Sequence, residues 1–529
     1  MKAKTNSLRK ESLNTRIAVI ISYATLVINV IGHIFVTQGI LNSVGASNYG
    51  IYSFALSISS WITVISNALA ASFIRFSTID QHEHGDSKIT STLFLKLLLF
   101  ISLTFTIIFN VVIFALYFGG FRLEQYDEAQ HLVLTYVLCI SSISILFTIS
   151  LSVFPLFNQF KKEFIFVRIS YLVYVVAQLL TTWIIALTTY NIVYVAIGTA
   201  AAHLIYGGMN LIFAVKKMKF KLNLDVTFIK YKDLTLQILK FSSLVLVTTL
   251  VNQVNNEIGK TILGFMTNEY DVTEMQLSMS FTTYLVNIAS YVYVVFIPKI
   301  NEYVIKGETE KINELFLRVS KFQIIVILFI IGGFIASGNF FTAAWLDDQP
   351  LIDPYNIYLY TVVLFITNLV PLSINITQEI QRAMNLLLFR TINYLISAAL
   401  NIGVSIALVA LLPSDLSVWG TVIGYAFSSF VCLWIINGVY NAKRVRLSVG
   451  KYSLTLLRHC LITSVVIGTT IGITFAYKSM PMSQWYIFII TGFIYVSLYA
   501  LSVLIFDRKF VFSFLPKRKP KGKIVESKE

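Results

Sequence analysis

Runs of about twenty apolar residues recur along this chain from near its first residue to near its last. No other feature narrows its fold as much, because a helix of that length is what crosses a hydrocarbon core about 30 Å thick. Fourteen such runs are read by hydropathy, near 17–41, 49–73, 91–118, 131–156, 166–189, 191–214, 236–262, 276–298, 318–338, 356–378, 389–412, 416–438, 455–477 and 484–506. In lipid each spanning segment must satisfy its own backbone donors and acceptors, which admits helices and excludes open sheets. Composition agrees: of 529 residues, 56% are hydrophobic and 13% charged, with a mean hydropathy of +0.75. The expectation is an all-α integral membrane protein.

The formal net charge of +15 would suit a nucleic-acid partner if the cations were clustered for one. They are not. With alternate connections assigned to one side, 38 of the 41 Lys and Arg fall on that side, and Arg122, Lys260 and Lys478 are the exceptions. Such asymmetry is the positive-inside pattern, so both termini are expected in the cytoplasm, the number of crossings is expected to be even, and no nucleic-acid partner is expected. The run KKMKFKLNLDVTFIKYKDL and the basic tail read as cytoplasmic flanks, with membrane lipid headgroups as secondary partners. The first apolar run is too long for a signal-peptide core and is expected to stay in place. Cys139, Cys432 and Cys460 lack metal or disulfide spacing and read as packing residues, so no cofactor or metal is expected.

Four landmarks recur at one shift of 222 residues: LFLK ending at Lys96 and LFLR ending at Arg318, Arg168 and Arg390, Gly198-Thr199 and Gly420-Thr421, Ile40-Leu41 and Ile262-Leu263. Cations at regularly spaced cytoplasmic helix ends would explain the charges but not the Gly-Thr pair. A duplication explains all four. Six crossings return the chain to its starting side, so the two copies must run parallel, related by an axis along the membrane normal. The expected division is a cytoplasmic segment 1–16, a six-helix repeat 17–215, a basic linker 216–235, a second six-helix repeat 236–442, a basic loop with two further helices 443–506, and a basic tail 507–529.

The first loop, GILNSVGASNYGIYSFALSIS, resembles the segment between helices one and two of the Wzx-type polysaccharide flippases of the MOP exporter superfamily. NALAASFIRFS, from Asn67 to Ser77, is similar to that family's second-helix exit with its Arg, and the region from Gln381 through helix twelve resembles the family as well. The likeness covers nearly the whole chain and its plan of twelve helices plus two. It implies export of undecaprenyl-diphosphate-linked oligosaccharide across the cytoplasmic membrane of a bacterium. The implied partners are that lipid-linked substrate, a polysaccharide polymerase and other assembly proteins.

Such a substrate needs a wet cavity for sugar, cations for diphosphate and an apolar way out for the lipid tail. Ser22, Thr25, Asn29, His33 and Thr37 share one face of the first helix. In the seventh, Thr249, Asn252, Asn256 and Lys260 do the same, with Gln253 and Glu257 at the edge; the second adds Ser60, Asn67 and Arg75, and the tenth adds Asn368, Asn375, Gln378 and Arg382 around Pro371. Polar residues of this kind also serve as interhelical glue, worth about 0.6 kcal/mol each on average. Arg75 reads either as a diphosphate contact at the cytoplasmic mouth or as a snorkelling topology anchor. Glu257 and Lys260 read either as a local i, i+3 pair or as cavity residues, with Lys260 the outer phosphate or sugar contact. His33 and His203 could titrate or could simply be packed.

A glycan polymerase or ligase is the rival from another class. The longest external connection, 338–356, offers Asp347, Asp348 and Asp353 without a His or Arg partner for acid–base chemistry, so no enzymatic activity is expected. No Gly-rich Lys-Ser/Thr loop is present for ATP. A multidrug exporter or a peptidoglycan-precursor flippase of the same superfamily stays open. The latter resembles this plan but shows more Arg in its first two helices, whereas this first helix has none after Arg16.

Overall fold

The computed structural model describes residues 2–294, 296–508 and 510, so nearly all of the expected basic tail lies outside the described residues. Among them the regular structure is helical throughout. Helices α1 (Lys2–His84), α2 (Lys88–Phe118), α3 (Glu128–Leu151), α4 (Val153–Phe160), α5 (Phe164–Thr189) and α6 (Ile192–Lys216) make the first copy. The second consists of α7 (Lys232–Met266), α8 (Glu269–Val294), α9 (Ile297–Ile305), α10 (Thr309–Trp345), α11 (Pro354–Ser373), α12 (Ile376–Ala383), α13 (Leu387–Leu411), α14 (Ser417–Ser429) and α15 (Asn437–Lys443), with a π-helical turn over Phe430–Ile436 between the last two. Helices α16 (Val449–Thr474) and α17 (Gln484–Phe506) pack on α10.

The duplication is visible in where helices break. Within α1 the backbone turns non-helical at Gly45 (φ 82°, ψ 161°), and 222 residues later the extended Thr267 (φ −133°, ψ −153°) separates α7 from α8. The Gly45 conformation belongs to a region open essentially to glycine alone, which is why the first copy turns there without ending its helix. Ser152 divides α3 from α4, and Ile374, at the same offset, ends α11 before α12; Thr189 and Leu411 end α5 and α13. The Gly198 and Gly420 landmarks have a steric cause. A Cβ at Gly198 would press on Ile185 of α5 and one at Gly420 on the backbone of Val409 in α13, so both mark the close crossing of the fifth and sixth helices of a copy.

Among the described residues twelve helices are long and apolar enough to cross a membrane, and the chain is a multi-pass membrane protein. This number differs from the expected fourteen in two places. The first candidate, Ile17–His84, is 68 residues long and is bent at Gly45 into two arms, each long enough for one crossing at about 1.5 Å per residue. The expected eighth crossing, in α8, is too polar to qualify on apolarity, because it carries Glu269, Asp271 and Glu274 at its start and Gln276, Ser280, Thr283 and Asn287 along its length. Those last four side chains line a cavity.

Candidate cavity between the repeats

The downstream arm of α1 and helix α7 run antiparallel, held across the repeats by polar bonds at several levels. Ser57 and Thr261 hydroxyls meet at 3.2 Å, the Gln253 amide donates to Ser60 Oγ at 2.7 Å, and the Ser72 and Ser242 hydroxyls meet at 2.7 Å. Beyond Ser72, the Arg75 guanidinium lies 4.4 Å from the centre of the Phe241 ring. The pseudo-equivalent seam, between the upstream arm of α1 and α8, is different: there a cavity of about 380 Å³ separates the helices, with Asn29, His33 and Thr37 on one wall and Gln276, Ser280, Thr283, Tyr284 and Asn287 on the other.

A second cavity, of about 360 Å³, continues into the first repeat among Ser59, Ser60 and Thr63 of α1, Ser141, Ser144 and Thr148 of α3, and His203 of α6. The two share Tyr52, Leu56, Gln178, Thr199, Glu257, Lys260 and Gln276, so they form one continuous space. Its size falls in the range of about 300–1,000 Å³ usual for small-molecule sites. Hydroxyl and amide groups dominate the polar part of the lining. Its formally charged groups are Lys260 and Glu257, of opposite sign.

Lys260 stands at the junction of the two spaces. Its Nζ lies 2.6 Å from Glu257 Oε2 and donates to Gln276 Oε1 at 2.8 Å, and the residue is 7% exposed. The sequence left open whether Lys260 pairs with Glu257 or faces the cavity; both hold at once, because i and i+3 share one helix face and that face is the cavity wall. Lys260 also ties α7 to α8 through Gln276, a contact that helical spacing could not have disclosed.

The other expected site residues divide. Asn29, His33 and Asn256 line the first cavity. The side chains of Asn67 and Asn252 lie outside the described residues. Arg75 is exposed and lines neither cavity; its face is turned to Phe241 and Phe76. In the tenth crossing, Gln378 donates to Asn375 Oδ1 at 2.7 Å and to Tyr394 Oη at 3.2 Å, and Arg382 pairs with Glu379 at 3.0 Å. These three therefore form local polar clusters at the break between α11 and α12, away from the two cavities. His203 has both ring nitrogens engaged, with Tyr174 Oη at 3.1 Å and the Thr199 carbonyl at 3.0 Å. Gln178, Thr199 and Gln276 belong to the site and were missed; in helix eight the signal was present, because Gln276, Ser280, Thr283 and Asn287 recur at three- or four-residue steps.

At the end that carries Gly45, the repeats close on each other. Glu269 is buried and accepts from Ser47 Oγ at 2.9 Å and from Gln130 Nε2 at 2.7 Å, Thr273 Oγ1 donates to the Ala46 carbonyl at 2.8 Å, and Gln349 Nε2 donates to Asn42 Oδ1 at 3.1 Å. These contacts close the repeats on each other at the Gly45 end of the cavity.

Two six-helix copies around a polar central cavity, with two further helices on the second copy, make the fold of the MOP-superfamily transporters. One solved structure of this kind is a lipid II flippase, MurJ, in an inward closed conformation: TM-score 0.68 at 13% identity, covering 93% of this chain and 99% of that one. Another is an inward-facing multidrug resistance MATE family transporter of the MOP superfamily, with TM-score 0.58, 14% identity, and 80% and 96% coverage. A MATE protein in a bent conformation follows at TM-score 0.52 and 11% identity, with 87% and 97% coverage. These neighbours are transporters, not enzymes. No family model and no curated protein matches the sequence.

Proposed function

We propose that this protein is a flippase that moves undecaprenyl-diphosphate-linked oligosaccharide units from the inner to the outer leaflet of the bacterial cytoplasmic membrane, for surface polysaccharides such as O-antigen, capsule or exopolysaccharide. The observation that carries the reading is the space around Lys260: large enough for sugar, rich in hydroxyls and amides, and lying between the upstream arm of α1 and α8. Hydroxyl and amide walls suit neutral sugars, because each can both donate and accept. On this reading the seam between those two helices parts to let a lipid tail stay in the bilayer while the head group enters. With the basic end in the cytoplasm, the cavity takes its head group from the inner leaflet, and release follows when the Glu269 contacts part and the seam closes. Asn29, His33, Asn256, Glu257 and Lys260 hold the sugar on this reading, with the basic cytoplasmic mouth receiving the diphosphate. A polysaccharide polymerase and other assembly proteins would take the product.

The likeness to a lipid II flippase favours a second reading, in which the cargo is a peptidoglycan precursor. Both are tested in reconstituted vesicles loaded with labelled lipid-linked oligosaccharide or lipid II, reading the fraction accessible outside. Movement of the oligosaccharide lipid, reduced by Lys260→Gln, supports the first reading. Movement of lipid II alone supports the second, and movement of neither with export of cationic drugs would sink both.

A further inference from the structure

Arg168 and Arg390 occupy the same position in the two repeats, yet their surroundings differ. The Arg390 guanidinium donates to Gln378 Oε1 at 2.7 Å and lies 5.5 Å from the centre of the Tyr394 ring. Shifted back by 222 residues, those two partners become Leu156 and Leu172. Arg168 therefore lacks the hydrogen bond and the ring that engage its counterpart, and among the described residues it makes no hydrogen bond or ion pair to the protein. It lines a third cavity instead, of about 280 Å³, together with Gln159, Leu156 and Tyr206. That cavity shares Thr148 and His203 with the second one, so it adjoins the space around Lys260 within the first repeat.

We propose that Arg168 is an anion subsite that takes a phosphate group of an amphiphile, a position that rests on the flippase reading for its place in transport. A guanidinium presents five N–H donors in a planar fork matched to phosphate oxygens. Arg390 spends this capacity on Gln378; Arg168 keeps it, at the rim of a cavity that adjoins the hydroxyl- and amide-lined space. Arg75, the cation singled out by the sequence, is stacked on Phe241 and lines none of these spaces. The same phosphate chemistry could come from the diphosphate of the carried lipid or from a bilayer phospholipid headgroup.

The test uses the purified full-length protein in phosphatidylcholine nanodiscs, titrated with a sugar-free polyprenyl diphosphate and, in a separate arm, with phosphatidylglycerol. Bound lipid is counted by native mass spectrometry, and thermal unfolding confirms that each variant is folded. Arg168→Gln should weaken diphosphate binding roughly tenfold or more, the usual worth of a charge-assisted contact. Leu156→Gln keeps the charge but supplies the partner that engages Arg390, and it should weaken binding severalfold; Arg75→Gln should change it by less than about twofold. Wild-type binding by both Arg168→Gln and Leu156→Gln, or an equal loss in Arg75→Gln, overturns the assignment. If phosphatidylglycerol binds with the same dependence on Arg168 and competes with the diphosphate, the phosphate source is the bilayer; if it does not, the source is the carried lipid. The probe carries no sugar, so the two proposals fail separately. Arg168-dependent binding in a protein that moves no oligosaccharide lipid sinks only the transport reading, and oligosaccharide transport with Arg168-independent binding sinks only the subsite.

Discussion

The Ser47 hydroxyl donates to a Glu269 carboxylate oxygen at 2.9 Å, and the two residues are 222 positions apart, so each is the other's equivalent in the opposite repeat. In a two-fold arrangement only positions near the axis can touch their own equivalents. The pseudo-symmetry axis therefore passes between the first turns of the downstream arm of α1 and of α8, at the closed end of the cavity. Removing the acceptor should loosen this closure. In a protein with Cys139, Cys432 and Cys460 replaced by Ala and a reporter cysteine at Ser280, Glu269→Ala should raise labelling by a membrane-impermeant thiol reagent applied from the Gly45 side severalfold. Unchanged labelling would mean that Glu269 does not hold the closure.

Lys260 is held by two acceptors on two helices, Glu257 and Gln276, and this makes the pair directional. Exchanging the residues keeps an i, i+3 ion pair but sets a carboxylate against Gln276 Oε1; turning the amide over would cost the Gln276 Nε2 bond to Ser280 Oγ, now 3.2 Å. Lys260→Gln should cut the flipping rate roughly tenfold, the loss of about 1.4 kcal/mol, with normal insertion. The exchanged protein should stay impaired. Full transport by the exchanged protein would reduce Lys260 to half of a structural pair.

Gly45 holds a backbone conformation that costs other residues about 1–3 kcal/mol. Gly45→Ala should lower the thermal unfolding midpoint by several degrees and reduce yield. A midpoint equal to wild type would show that the bend can be made another way.

Asp507, just past α17, joins the two extra helices to the second repeat: its carboxylate oxygens lie 2.5 Å from Lys321 Nζ of α10 and 3.0 Å from His459 Nε2 of α16. Burial by itself would push this carboxyl up, but the hydrogen bond and charge of Lys321, with His459, outweigh it and hold it below the usual range. For a carboxylate with a depressed folded value, the stabilisation is complete above its unfolded value, about 3.9, and is lost as pH falls through the lower folded one. Asp507→Asn should therefore lower the unfolding midpoint at pH 7, and the gap between variant and wild type should narrow as pH drops below about 4. A gap that stays constant with pH would remove this carboxylate from the acid response.

Fourteen crossings with the basic end cytoplasmic can be checked directly. Reporter fusions at Lys217, Lys443 and Lys517 should read cytoplasmic and one at Gln349 external. A cytoplasmic reading at Gln349 would break the alternation.

Much of this architecture follows from local chemistry. Apolar runs of spanning length dictate helices because lipid offers the backbone no other partner, and the alternation of cations follows from the cost of moving charge across a membrane. Lys260 stood out for the same reason, as a charge inside an apolar run. The duplication was legible because both copies keep Gly198 and Gly420, where two helices cross too closely for a side chain. What the chain could not disclose is what depends on which neighbour a helix face meets. The stripe containing Asn375, Gln378 and Arg382 has the same spacing as the one containing Asn29 and His33, yet the break between α11 and α12 folds it into local clusters. Arg168 and Arg390 look alike as helix-end cations. Only the tertiary packing sets Gln378 against one and leaves the other at a cavity, because side-chain partners across helices are fixed by the rotation and crossing of whole elements, which no periodicity within a single helix encodes.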